Sequence, residues 1–94
     1  MGEATITKRL VIHGRVQGVY FRDSMRQQAR QLGITGWVRN RSDGTVEAMV
    51  SGDPGEIDNI VEWARHGPAK AKVTDVQIEE GKGPFDNFDL LPTC

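Results

Sequence analysis

Asp43-Gly44 lies near the middle of the chain between two short runs of alternating polarity, and an amphipathic segment flanks each run on its outer side. Both residues tolerate positive φ, so the pair signals a tight hairpin joining strands at Thr35–Asn40 and Thr45–Ser51. On the second of these, Val46, Ala48 and Val50 form the inward row. Upstream, Ile6 to His13 reads as a strand, with Leu10 and Ile12 on one face and Arg9, Val11 and His13 on the other. Gly14-Arg15-Val16-Gln17-Gly18 interrupts it with two glycines suited to tight or left-handed backbone. Phe21, Met25, Ala29 and Leu32 then fall on one helical stripe, and Gly33 stands where a left-handed cap belongs. Downstream, Asp53 is placed to cap a helix, with Pro54 in its first turn and Glu56 completing a capping box. Ile57, Ile60, Val61 and Ala64 make its apolar stripe, and Gly67-Pro68 ends it. Val73 to Ile78 reads as a fourth strand and Phe88 to Leu91 as a short fifth.

The order βαββαβ, two crossover units joined by a hairpin, predicts an α+β, ferredoxin-like split βαβ sandwich. Right-handed crossovers place both helices on one face of an antiparallel sheet, with the short fifth strand added. Because a helix returns the chain between them, the first and second strands run the same way. The loop Gly14–Arg22 and the residue Asn40 are therefore expected at the same edge of the sheet.

Ninety-four residues suit one domain, expected to span 1–94. Twelve Lys and Arg against thirteen Asp and Glu leave a net charge of −1, too balanced for a general nucleic-acid binder, though a local basic patch stays open. The longest aliphatic run, Leu10-Val11-Ile12, is far too short to cross a membrane. With no apolar signal segment at the N-terminus, a cytoplasmic location is expected. Cys94 is the sole cysteine, which excludes an internal disulfide, and a frayed tail thiol is its expected state.

A phosphate needs converging backbone N–H groups, a fixed cation and preferably the positive end of a helix. The segment Gly14 to Arg22 can supply all three, since its glycines let the backbone curl and a helix starts at its end. Arg22 sits in that helix's first turn, where a guanidinium can grip two phosphate oxygens. It also opposes the helix dipole there, which marks it as a candidate for function, although Asp23 offsets part of that cost. Neither the Walker loop nor the dinucleotide fingerprint is present, because the lysine, the hydroxyl residue and the glycine spacing differ. The alternative is a plain glycine turn followed by a helix with exposed arginines. Asn40 is the second candidate: either a turn residue before the hairpin, or a donor and acceptor that holds a water.

Gly14-Arg15-Val16-Gln17-Gly18-Val19-Tyr20-Phe21-Arg22 resembles the acylphosphatase signature, a glycine-bounded loop leading into Val-x-Phe-Arg. Gly36-Trp37-Val38-Arg39-Asn40, followed by Ser42-Asp43-Gly44-Thr45-Val46-Glu47, is similar to the family's second signature. The similarity runs in order from about Ile6 to Leu91. It implies hydrolysis of the carboxyl–phosphate bond of acyl phosphates to a carboxylate and inorganic phosphate without a metal, and a monomer with no cofactor is expected. It further implies that Arg22 binds phosphate, that Asn40 orients the attacking water, and that N–H groups of Arg15, Val16, Gln17, Gly18 and Val19 complete the cradle. Arg41 departs from the family pattern, since several relatives carry a small hydroxyl residue there, and it implies a more electropositive site. A binding module of the same fold, sensing an anion or docking a partner, is the rival.

Other polar and aromatic residues read as structural. His13 and His66 lack a partner at metal spacing, and His66 is expected in a helix's last turn. Trp37 and Trp63 read as packing residues, since the aromatic strand motif of an RNA-recognition sheet is absent. Tyr20 and Phe21 are both expected to pack the loop against the core.

Overall fold

Two strand–helix–strand passes joined by a hairpin account for every regular element but the last, a short edge strand. The computed structural model describes residues 4–94. They form β1 (Ile6–Arg15), α1 (Phe21–Gln31), β2 (Thr35–Asn40), β3 (Val46–Gly52), α2 (Pro54–Ala64), β4 (Lys72–Glu80) and β5 (Phe88–Leu90). The sheet order is β4-β1-β3-β2-β5. β1 pairs antiparallel with β3 and β4, and β2 pairs antiparallel with β3, so β1 and β2 run the same way. β5 adds at the edge in parallel with β2, through Gly36–Phe88 to Val38–Leu90.

One face of the sheet carries the core. Leu10, Ile12, Val38, Val46, Ala48 and Val50 are fully buried against Phe21, Met25 and Ala29 of α1 and Ile57, Ile60 and Ala64 of α2. At roughly 1.5–3 kcal/mol for each large aliphatic or aromatic side chain removed from water, this single layer carries most of the driving force for folding. Phe21 and Trp63 bring the two helices together, their ring centroids 5.3 Å apart and tilted by 55°.

Local chemistry sets the element ends. The Asp53 carboxylate accepts from Gly55 N at 3.0 Å, capping α2 ahead of Pro54. The expected capping box does not close, because Glu56 accepts from Asn59 Nδ2 at 2.9 Å instead. α1 ends at a left-handed Gly33, with Ile34 N donating to Ala29 O at 2.8 Å. In the hairpin only Gly44 takes a positive φ. Asp43 instead accepts from the Thr45 backbone N–H at 3.0 Å and hydroxyl at 2.6 Å. The hydroxyl bond, then the backbone bond, hold its carboxyl below the usual value.

The outer face of the sheet holds a charged network. Arg9 Nε and Arg39 Nε donate to the two oxygens of Glu47 at 2.7 and 2.9 Å, and Arg9 Nη1 reaches Glu79 at 2.9 Å. The Arg39 guanidinium also lies 4.8 Å from the Trp37 ring centroid. Glu47 is consequently buried. Burial pushes its carboxyl up, but hydrogen bonds from Arg39 and Arg9 and their charges outweigh this and hold it below the usual range.

Two expectations about the termini of elements are corrected. Cys94 is exposed, but its backbone is tied down: Cys94 N donates to Asn40 O at 3.2 Å and Cys94 O accepts from Ser42 N at 2.8 Å. His66 lies beyond the end of α2, where its ring meets Glu62 at 3.1 Å.

Candidate active site

β1 ends in a bend that sequence spacing places only approximately. The β1–β4 register shifts between His13 and Gly14, and Gly14 has φ 121°. A Cβ there would collide with the Lys72 carbonyl oxygen and sit 2.8 Å from Thr74 N, so only glycine lets the two backbones meet. Val16 and Val19 plunge into the core. Between them Gly18 turns left-handed at φ 75°, and Tyr20 does the same at φ 63° and ψ 27°.

The result is a loop whose amides are free. Among the described residues, the N–H groups from Val16 to Tyr20 donate to no backbone or side-chain acceptor. α1 then begins without a side-chain cap, since the Tyr20 side chain in the N-cap position makes no hydrogen bond to the helix start. Free amides and an uncapped helix start together leave a concentration of positive partial charge.

A cavity of about 330 Å³ opens at this point, lined by Val16, Gly18, Tyr20, Phe21, Arg22, Asp23, Asn40 and Leu90. Arg22 has no carboxylate within ion-pairing distance among the described residues, since Asp23 turns to Arg26 at 3.7 Å. Asn40 follows Val38 on the helix-facing side of β2, in register with Val46 and, across β3, Ile12. Its Oδ1 is buried and has no hydrogen-bond partner. A buried acceptor left unmatched costs about 1–3 kcal/mol, so its presence in a cavity wall points to a donor that arrives from solution.

The expected meeting of the Gly14–Arg22 loop with Asn40 is therefore realised through Val16, Gly18, Arg22 and Asn40. Arg15, Gln17 and Val19 do not line the cavity. Arg15 closes β1 at the surface, Gln17 turns its amide to the carbonyl oxygens of Arg41 and Thr45, and Val19 is buried. Arg41 is also off the cavity and faces Asp43 at 3.5 Å, so it does not add charge to the cavity wall. Tyr20 does not pack into the core as expected. It is 76% exposed, because its left-handed backbone turns it outward while Phe21 takes the buried place. Leu90 and Asp23 also enter the lining. Leu90 owes this to the parallel pairing of β5 on Val38, which three residues of sequence do not announce.

No group of three or more His, Cys, Asp or Glu side chains among the described residues is arranged to hold a metal ion. No helix among them is long and apolar enough to cross a membrane.

Comparison with known proteins places the chain in a family. The chain is 54% identical over 87 residues to an acylphosphatase of Albidiferax ferrireducens, covering 93% of this chain and 95% of the relative. It is 53% identical over 87 residues to one from Pyrobaculum arsenaticum, covering 89% and 92%. The solved structure of an acylphosphatase from Coxiella burnetii superposes with a TM-score of 0.89 at 36% identity, covering 93% of each chain. The acylphosphatase family model matches residues 8–90, and the chain belongs to the acylphosphatase family.

Proposed function

We propose that this chain hydrolyses acyl phosphates with Arg22 and the loop amides holding phosphate while Asn40 orients the attacking water. The observation that carries the reading is the shared cavity, whose walls hold a guanidinium and a buried acceptor that have no partner among the described residues. The guanidinium and the free amides of the loop supply the positive charge and the N–H donors that phosphate oxygens accept from. The Asn40 Oδ1 accepts a hydrogen bond from water and turns the water's lone pair toward phosphorus.

Such a site suits the chemistry. Phosphoryl transfer calls mainly for positioning and charge stabilisation. Water attacks phosphorus, the bond from phosphorus to the acyl oxygen breaks, and the carboxylate departs with the electron pair. Its conjugate acid has a pKa of about four, so it leaves without being protonated. The proton of the attacking water passes to a phosphate oxygen or to solvent, which leaves no task for a catalytic histidine. The reading requires no metal, because positive charge comes from Arg22 and the amides. It also requires no second subunit, because Arg22 and Asn40 belong to one chain. We read the protein as a cytoplasmic monomer with residues 1–94 as one domain, in keeping with one free cysteine and a reducing compartment.

Following the hydrolysis of benzoyl phosphate by absorbance, with and without chelator, tests this. Turnover unaffected by chelator is expected; no turnover by the folded protein would favour an anion-binding module instead. Arg22→Ala should raise KM and weaken inhibition by inorganic phosphate. Asn40→Ala should abolish turnover and leave phosphate inhibition nearly intact. Equal loss of phosphate affinity in both variants would refute the division of roles.

A further inference from the structure

Tyr20 is a residue whose side chain the fold does not use. The residue is 76% exposed, and the only other exposed large apolar residue among the described residues, Ile78, is 42% exposed. It supplies no cap to α1, and its hydroxyl makes no hydrogen bond among them. Yet its backbone is held left-handed at φ 63°, a conformation that side chains with a Cβ rarely adopt and that glycine would occupy without strain. An aromatic residue thus occupies a position where glycine suits the backbone, and that residue lines the cavity that holds Arg22 and Asn40.

The cavity has an inner and an outer chemistry. If phosphate occupies the guanidinium and amides, the reading proposed above on which this inference rests, the acyl group must extend away from them toward solvent. Among the lining residues, the apolar surface within reach of solvent comes from the exposed Tyr20 and the half-buried Leu90. We propose that Tyr20 is the residue that selects the acyl group, its ring packing face-on against flat acyl groups. The enzyme then favours aroyl phosphates over acetyl phosphate. Phosphate recognition by Arg22 and the amides is common to both.

The test is the ratio of kcat/KM for benzoyl phosphate to that for acetyl phosphate in Tyr20→Ala, Tyr20→Asn and Tyr20→Phe. Asparagine tolerates left-handed backbone, so it removes the ring while keeping the loop conformation. The ratio should fall about tenfold in the alanine and asparagine variants, as expected from removing one aromatic stacking partner. The loss should fall mainly on KM for benzoyl phosphate, and Tyr20→Phe should restore the wild-type ratio. An unchanged ratio in the asparagine variant, or a ratio that phenylalanine fails to restore, overturns the assignment whatever the absolute rates. Inhibition by inorganic phosphate separates the two readings. Full phosphate inhibition surviving in Arg22→Ala defeats the phosphate-site reading, whereas a ratio insensitive to Tyr20 with Arg22-dependent inhibition defeats only this one.

Discussion

Gln17 Nε2 donates to the Arg41 carbonyl oxygen at 2.8 Å and, from the same amide, to that of Thr45 at 2.8 Å. One side chain thereby ties the amide-lined loop to the turn that follows Asn40. The two parts of the cavity come from strands that do not pair with each other, since β3 lies between β1 and β2. Gln17 is the direct strut across that gap.

Replacing the donor should loosen the loop relative to Asn40 without removing either proposed reactive group. Gln17→Ala is expected to lower stability by about 1–2 kcal/mol, the usual range for two part-buried hydrogen bonds. It should also lower kcat for benzoyl phosphate. Gln17→Glu should be worse, because a carboxylate would face two carbonyl oxygens with no proton to offer. Urea unfolding combined with kcat for the two variants checks this. A glutamate variant as active as wild type would show that the strut does not position the site.

Arg22 predicts a trade between stability and activity. A cation in the first turn opposes the helix dipole by about 0.3–1 kcal/mol, and no carboxylate pairs with it among the described residues. Arg22→Ala should therefore raise Tm slightly. In the same variant kcat/KM should fall by roughly 10²–10³, as for loss of a preorganised charge-stabilising donor. Arg22→Lys should recover only part of the activity, because an ammonium cannot bridge two phosphate oxygens in one plane. Thermal melts measured beside kinetics read both effects, and inorganic phosphate should stabilise wild type far more than Arg22→Ala.

What the sequence made legible was the set of facts that depend on near neighbours or on chain direction. Asp53-Pro54 marks the start of α2, Gly33 the end of α1, and the returning helix alone puts Arg22 and Asn40 at one edge. What stayed hidden depended on contacts between strands distant in sequence. Glu47 looks like an ordinary outward strand residue, and only the order β1-β3-β2 sets Arg9 and Arg39 on either side and buries it. Tyr20 was misread because alternation and helical stripes assume right-handed backbone, whereas φ 63° turns its ring to solvent. The docking of Cys94 on Asn40 and Ser42 involves backbone atoms alone, so no side-chain pattern carries it.

Gly14 tests how closely β1 and β4 must approach to shape the loop. An alanine there would combine left-handed backbone strain with a collision against the Lys72 carbonyl and Thr74 N. Neither neighbour is a side chain that can rotate away. Gly14→Ala should destabilise by about 2–3 kcal/mol or more. Gly18→Ala should be milder by comparison, since it meets the left-handed penalty with nothing within 4 Å of the new Cβ. Chemical denaturation ranks the pair, and equal losses would contradict the close approach.

Glu47 gives the protein an acid-sensitive stability. Its carboxyl is held below the usual value because hydrogen bonds and charges from Arg39 and Arg9 outweigh the desolvation that pushes it up. A group whose pKa is depressed on folding takes up its proton more readily when unfolded. Its contribution is therefore complete above the ordinary Glu value of about 4.3, and it is lost as pH falls from there through the lower folded value. Glu47→Gln should remove that pH dependence. At neutral pH it should also destabilise the protein by about 3 kcal/mol, the low end for a broken buried pair, because Arg9 and Arg39 both reach solvent. Tm measured from pH 7 to pH 3 should thus drop more steeply for wild type than for Glu47→Gln, the two curves converging at the acid end. Parallel curves would mean that the network on the outer face is not where acid sensitivity resides. Because this network lies across the sheet from the cavity, kcat/KM of Glu47→Gln at neutral pH should stay close to wild type at temperatures well below its Tm.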